Sequence, residues 1–180
     1  MNLAEVNYAF IESPIGRLLA VGDDAALGGL YMESHKRGPV PNDRWRRDDD
    51  SLRFVAEQIE AYFSGELERF DLPYVTAGTR FQRRVWTALG EIGFGETITY
   101  AELARRVGAP RAARAVGAAV GRNPISIIVP CHRAVGSDGS LTGFAGGLPR
   151  KRWLLEHEQA VLGDRSGQAA RQITSGVAGM

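Results

Sequence analysis

Among 180 residues there is one cysteine, and there are only three histidines. A single thiol excludes an internal disulfide and any zinc site built from several cysteines. No apolar run approaches the roughly 18–20 residues that a membrane-spanning helix needs. The opening Met1-Asn2-Leu3-Ala4-Glu5 lacks a basic segment leading into an apolar one. No signal peptide is therefore predicted. A lone free thiol fits a reducing compartment, so the expected location is cytoplasmic, without membrane association. The chain also lacks a net charge of any size, at +1. That balance conceals a division. Residues 1–77 hold 8 Lys+Arg against 14 Asp+Glu, and residues 78–165 hold 13 against 7. An acidic half joined to a basic half points to a polyanionic partner for the second.

What is present reads as two regions and a tail. Val6–Ile11, Arg17–Val21 and Leu27–Met32 are short apolar runs separated by Ser13-Pro14-Ile15-Gly16 and Gly22-Asp23-Asp24. Turn chemistry between such runs predicts an antiparallel meander. Residues 34–50 are polar and read as a loop. Ser51 is the expected N-cap of a helix to Phe63, with Phe54, Val55, Ile59, Tyr62 and Phe63 as its apolar stripe. Asp71 to Gly78 reads as a linker. Beyond it, Thr79 caps a helix containing Phe81, Val85, Trp86 and Leu89, and Thr99 caps another over Tyr100–Val107. Gly108-Ala109-Pro110 breaks the chain before a helix from Arg111 to Val120. Helix, short glycine-containing turn, helix is the helix-turn-helix pattern. From Gly163 the composition turns to Gly, Ser, Ala and Gln, which predicts a disordered tail over 163–180.

The chemistry concentrates at Ile127-Ile128-Val129-Pro130-Cys131-His132-Arg133. Pro130 removes a backbone donor, so a buried strand over Ile125–Val129 is expected to end there and present Cys131 at its mouth. An imidazole beside a thiol is the pairing that activates a sulfur nucleophile. Arg133 reads as a structural residue tying helix ends. The preceding helix, Arg111-Ala112-Ala113-Arg114-Ala115-Val116-Gly117-Ala118-Ala119, carries two arginines three apart among small residues. Few of its side chains can read base edges. It therefore suits binding by shape and backbone, and so slim a helix suits a narrow minor groove. Three functions account for parts of this pattern: a stoichiometric DNA-modifying thiol, a non-catalytic helix-turn-helix binder of alkylated DNA, and a thiol hydrolase.

Tyr100, Arg111-Ala-Ala-Arg114-Ala-Val-Gly117, Asn123-Pro124, Val-Pro-Cys131-His-Arg133, Gly146-Gly147 and Trp153-Leu-Leu-Glu-His-Glu158 occur in that order. Together they resemble the O6-alkylguanine-DNA alkyltransferases (methylated-DNA–protein-cysteine methyltransferases), most strongly over residues 79–158. The resemblance implies an α+β protein. Its parts would be an RNase H-like domain with a small antiparallel sheet over 1–77 and a mostly helical, winged-helix-like domain over 78–162. It implies repair of duplex DNA containing O6-alkylguanine, and of O4-alkylthymine as a further lesion. The base is flipped from the stack through minor-groove binding, and its alkyl group passes irreversibly to Cys131.

Each role is likewise implied by the resemblance. His132 takes the thiol proton through a water, Glu158 orients His132, and Asn123 braces the turn before the cysteine. Arg114 fills the gap left by the flipped base. Tyr100 crowds the 3′ phosphate and protonates guanine N3. Arg111, Ala115, Gly117 and Ala118 complete the DNA-facing helix. The carbonyls of Cys131 and Ala134, the ring of Phe144, the amide of Ala145 and Lys151 surround the base. No cofactor or metal is implied. The protein is expected to be monomeric, with cooperative assembly on DNA left open. Three residues depart from the family pattern. Ala134 replaces a branched aliphatic, Phe144 stands where Tyr is frequent, and Ala145 where some relatives have Ser.

Overall fold

The computed structural model describes residues 6–35 and 38–177, with side chains as far as Ser166. The three predicted strands are present as β1 (Val6–Ile11), β2 (Leu18–Gly22) and β3 (Leu27–Met32), paired antiparallel in sequence. Tyr8 faces Val21 across the first ladder and Leu18 faces Met32 across the second. A fourth strand, β4 (Trp45–Arg47), adds parallel to β1 from within the stretch read as a loop. The order is β3-β2-β1-β4, and β2, flanked on both sides, is buried along its whole length.

Helix α1 (Arg53–Phe63) lays Val55, Ile59 and Tyr62 into the core. Its N-cap is Leu52, with no side-chain cap, so Ser51 does not play the predicted part. Ser51 instead donates its amide to Asp48 Oδ1, an acidic residue three positions earlier that closes the turn before the helix. Helix α2 (Arg80–Gly90) begins with the expected cap, as a reciprocal pair. The Thr79 hydroxyl accepts from the Gln82 amide and Gln82 Oε1 accepts from the Thr79 amide.

Strand β5 (Ile98–Thr99) leads into α3 (Tyr100–Arg106), capped by Thr99, and α4 (Ala113–Val120) follows. This is the helix-turn-helix. Arg111 lies in the turn before α4 and not on the helix, so it does not share a helical face with Arg114. Buried Trp86 fixes α2 to α4 by donating Nε1–H to the Ala119 carbonyl at 2.9 Å.

The predicted strand over Ile125–Val129 does not form. Ile125 makes only an isolated bridge to Leu30 on β3, and Ser126 bridges back to Val129 in a tight loop. Ile127 sits at φ 73°, a left-handed conformation unfavourable for a β-branched side chain. Pro130 therefore precedes a turn of 3₁₀ helix, Cys131–Arg133, followed by β6 (Ala134–Val135) parallel to β5. The last helix, α5, runs Leu148–Val177. It continues through most of the stretch read as a disordered tail, because Gln168, Ala169, Ala170, Arg171 and Gln172 are good helix formers whatever their flanking Gly and Ser suggest. Residues 178–180 lie outside the described ones.

Candidate active site

Five segments converge behind the thiol. Cys131 opens the 3₁₀ turn at 5% exposure, with His132 beside it at 0%. Burial pushes the Cys131 thiol up. Hydrogen bonds from Asn123 and Ser126 and the nearby Lys151 charge work against that rise. Asn123 is buried and folds the cysteine loop. Its Nδ2 donates to the carbonyls of Val129 at 2.8 Å and Ile125 at 3.3 Å, while Oδ1 accepts from the Ile125 amide. These three bonds hold a backbone path that carries a positive φ at Ile127.

Glu158, on the inner face of α5, is buried among donors. His132 Nε2 lies 2.8 Å from Oε1, Tyr62 Oη donates to Oε1 at 2.9 Å, and the Gly95 amide donates to Oε2 at 2.9 Å. Arg133 adds Nη2 to Oε1 at 2.9 Å and Nε to Oε2 at 3.1 Å. Burial alone would raise the Glu158 pKa, but the bonds from His132 and Arg133 outweigh it and hold the group at about 2. A carboxylate can only accept, so His132 Nε2 carries the proton in that bond. Burial also pushes His132 down, against the pull of Glu158, so the ring is neutral near pH 7. Its other nitrogen, Nδ1, is then the open acceptor. It is buried without a protein partner among the described residues.

The segment Leu141–Gly147 is tied to Lys151 and Tyr100, the two side chains whose charge state is coupled to Cys131. Lys151 is wholly buried and donates Nζ to the Ala134 carbonyl at 2.5 Å and the Thr142 carbonyl at 2.8 Å. Burial lowers Lys151 to about 8, with the neighbouring Cys131 acting in the other direction. Tyr100 Oη donates to the Thr142 carbonyl at 3.0 Å, and burial pushes this phenol up. Phe144 is buried, Ala145 half-buried. Arg150 pins this segment to the N-terminal sheet, donating to the carbonyls of Ile15, Glu33 and Gly146. A Cβ on Gly146 would lie 2.1 Å from Met32 Sδ, so any larger residue there would force that buried side chain to move.

The sequence-predicted residues divide into two groups. Asn123, Lys151 and Tyr100 act directly on Cys131, His132 adjoins it and bonds Glu158, and Ala134 bonds Lys151, while Phe144 packs in the same core and Ala145 stands next to it on the Leu141–Gly147 segment. Arg114, Ala115 and Ala118 lie on the exposed side of α4, opposite buried Val116, Ala119 and Val120, with Gly117 half-buried between. Arg111 stands before that helix. Arg133 ties helix ends as expected, donating to Ile92 just past α2 as well as to Glu158 on α5. Tyr62 and Gly95 escaped the reading. Tyr62 looked like one more core residue of an apolar stripe, and an amide donor leaves no mark in sequence.

Two family models cover the chain. "6-O-methylguanine DNA methyltransferase, ribonuclease-like domain" matches residues 6–74, and "6-O-methylguanine DNA methyltransferase, DNA binding domain" matches residues 80–160. The chain is 50% identical over 152 residues to a protein of Methanosarcina acetivorans named methylated-DNA–protein-cysteine methyltransferase. That match covers 84% of this chain and 97% of the relative. A protein of the same name from Mycobacterium bovis is 48% identical over 155 residues, covering 86% and 93%. Among solved structures, the crystal structure of Mycobacterium tuberculosis OGT in complex with DNA superposes with a TM-score of 0.81 at 47% identity. It covers 86% of this chain and 94% of that one.

Proposed function

The chain belongs to the 6-O-methylguanine DNA methyltransferase family, DNA-repair proteins that transfer alkyl groups to their own cysteine, and from that premise we propose that Cys131 is the acceptor and that His132 and Glu158 activate it. One observation carries this reading. Glu158 accepts from His132 Nε2, which leaves Nδ1 as a neutral acceptor one residue from the only thiol of the chain. Nδ1 takes the thiol proton, by way of a water, and Glu158 stabilises the imidazolium that forms. A carbon–sulfur bond forms as the bond from carbon to guanine O6 breaks, and its electron pair stays on the base. The base takes its proton from Tyr100, and the imidazolium gives the former thiol proton to solvent, from which the Tyr100 phenolate is reprotonated, so the net transfer is one proton from thiol to base. The product is a thioether, and none of the described residues near it offers a route back, so each molecule reacts once.

The target atom is inaccessible within a duplex, so the base has to leave the stack. Arg114 fills the space it vacates, and Tyr100, at the start of α3, stands between that helix and the thiol pocket. Tyr100 protonates guanine N3 by exchanging its bond to the Thr142 carbonyl for one to the base. The outer face of α4 meets the minor groove through Ala115, Gly117 and Ala118. A Cβ on Gly117 would make only ordinary contact with the Tyr100 ring, so the fold itself does not require glycine there. Close approach of an outside surface does. Arg111 contacts the backbone from the turn before α4. Phe144 stacks on the flipped base and Ala145 offers its amide to O6. The Ala134 carbonyl keeps a second lone pair for the exocyclic amine while the first holds Lys151. The boundary between the two functional units falls near residue 77. The protein acts as a cytoplasmic monomer, and none of the described helices is long and apolar enough to cross a membrane.

Intact-protein mass spectrometry tests the assignment. After mixing with a duplex holding one O6-methylguanine, the mass should rise by one methyl, mapped to the Cys131 peptide, and stop there. Cys131→Ser should abolish the gain while leaving DNA binding in place. No gain with the duplex still bound would make the chain a lesion-binding module. Repeated turnover would make it a hydrolase.

A further inference from the structure

The groups around Glu158 do not all come from the half of the chain that carries the thiol. Tyr62 lies on α1, in the region matched to the ribonuclease-like domain, 96 positions before Glu158. Its side chain is fully buried. The ring has ample packing of its own, against Phe63, Phe70, Phe94 and His157 at centroid distances of 5.2 to 5.9 Å. Phenylalanine would satisfy all of those contacts. The hydroxyl is what distinguishes tyrosine here, and its partner is Glu158 Oε1, the same oxygen that accepts from His132 Nε2. Gly95 fixes the other oxygen. Arg133 reaches both oxygens from the 3₁₀ turn, and Tyr62 and Gly95 add one donor to each from other parts of the chain, so the carboxylate is held against rotation with Oε1 aimed at the imidazole.

We propose that Tyr62 is a positioning residue for alkyl transfer. Its hydroxyl sets the orientation and the strength of the Glu158 carboxylate as a partner for His132. The N-terminal domain is thereby part of the reactive apparatus rather than only a scaffold. This inference rests on the relay of Cys131, His132 and Glu158 proposed above. The charged and titratable groups facing His132 are Glu158 and Lys151 from α5 and Arg133 and Cys131 from the 3₁₀ turn. Tyr62 bonds to the one group among them that holds the ring. Burial and the Glu158 charge keep its phenol protonated, so it is a permanent donor.

Tyr62→Phe in the full chain removes the donor and keeps the ring. The rate of methyl transfer at saturating duplex should fall about tenfold, because the loss of the bond that aims Oε1 at the imidazole outweighs the greater basicity of the freed carboxylate. The Kd for an unmodified duplex should stay within about twofold, since the Tyr62 side chain is fully buried and offers nothing to an outside surface. The acidic limb of the pH–rate profile should move to higher pH, because Glu158, with one donor fewer, stabilises imidazolium more strongly. A 3-fluorotyrosine placed at position 62 keeps the fold and donates more strongly, so the limb should move to lower pH. Opposite shifts are a signature that packing cannot produce. An unchanged rate and profile for both variants, with His132→Asn slow, would overturn the role of Tyr62 and leave the relay standing. His132→Asn transferring at the native rate would overturn the relay and this inference with it.

Discussion

Glu158 and Arg114 are opposite charges kept under opposite conditions. Glu158 has no solvent exposure and accepts from four residues drawn from three separate parts of the chain. Arg114 is exposed on α4 among alanines and a glycine, with no ion pair among the described residues. The first charge is spent inside the molecule, where low dielectric makes each bond strong and each missing one costly. The second is kept for something outside. The same division runs through the C-terminal half: donors crowd inward on α5, while α4 offers short side chains and an unengaged cation outward.

The contrast predicts where substitutions register. The largest stability effect belongs to Glu158→Ala, which strands the Arg133 guanidinium in the interior. Chemical denaturation should show a loss of about 3–5 kcal/mol, the cost of breaking a buried pair from one side. A similar loss should follow acidification. Glu158 is held near 2 against an ordinary value of 4.5. Its contribution is therefore complete above pH 4.5 and disappears as pH falls towards 2, amounting to about 3 kcal/mol. Urea midpoints measured across that window check the sign. If stability instead rose on acidification, the donors around Glu158 would not be holding an anion.

Asn123→Ala comes next, at about 2 kcal/mol for three lost bonds partly replaced by water. It should also change how fast iodoacetamide reaches Cys131, since the loop that buries the thiol depends on it. Arg114→Ala should be the smallest in stability, within about 0.5 kcal/mol. Even so, it should slow transfer from a duplex far more than transfer from the free modified base. Equal slowing on both substrates would remove Arg114 from the flipping step and blur the division between the two charges.

Much of this organisation was legible. Turn residues at 13–16 and 22–24 delimited three strands, and the caps Thr79 and Thr99 marked two helices to the residue. The thiol, its histidine, Asn123 and Glu158 stand in a recognisable spacing. Other parts were hidden for physical reasons. Trp45-Arg46-Arg47 has too little apolar pattern to announce an edge strand, and it pairs in parallel with a partner almost forty residues away. Ile125–Val129 has the composition of a strand, but the Asn123 amide bonds its backbone into a loop that propensity would not select. Tyr62 shows the limit most clearly. Helical spacing places it in the core, yet only the fold reveals that its hydroxyl reaches across to the other half of the chain.

Gly95 gives this network a clock. Its amide is bonded to Glu158 and its carbonyl accepts from Gln159 Nε2 at 2.6 Å, so the two peptide units that flank this residue are both tied to α5. Its φ of 74°, and a Cβ position 2.3 Å from the Leu162 side chain, make any other residue strained at this place. Loop amides ordinarily exchange their hydrogens through local opening. This one is bonded to a carboxylate that α1 and the 3₁₀ turn also hold, and its residue is tied to α5 a second time through Gln159. Its exchange with deuterated solvent should accordingly run at the pace of global unfolding, so that a single loop proton reports whether the two halves come apart one at a time or together.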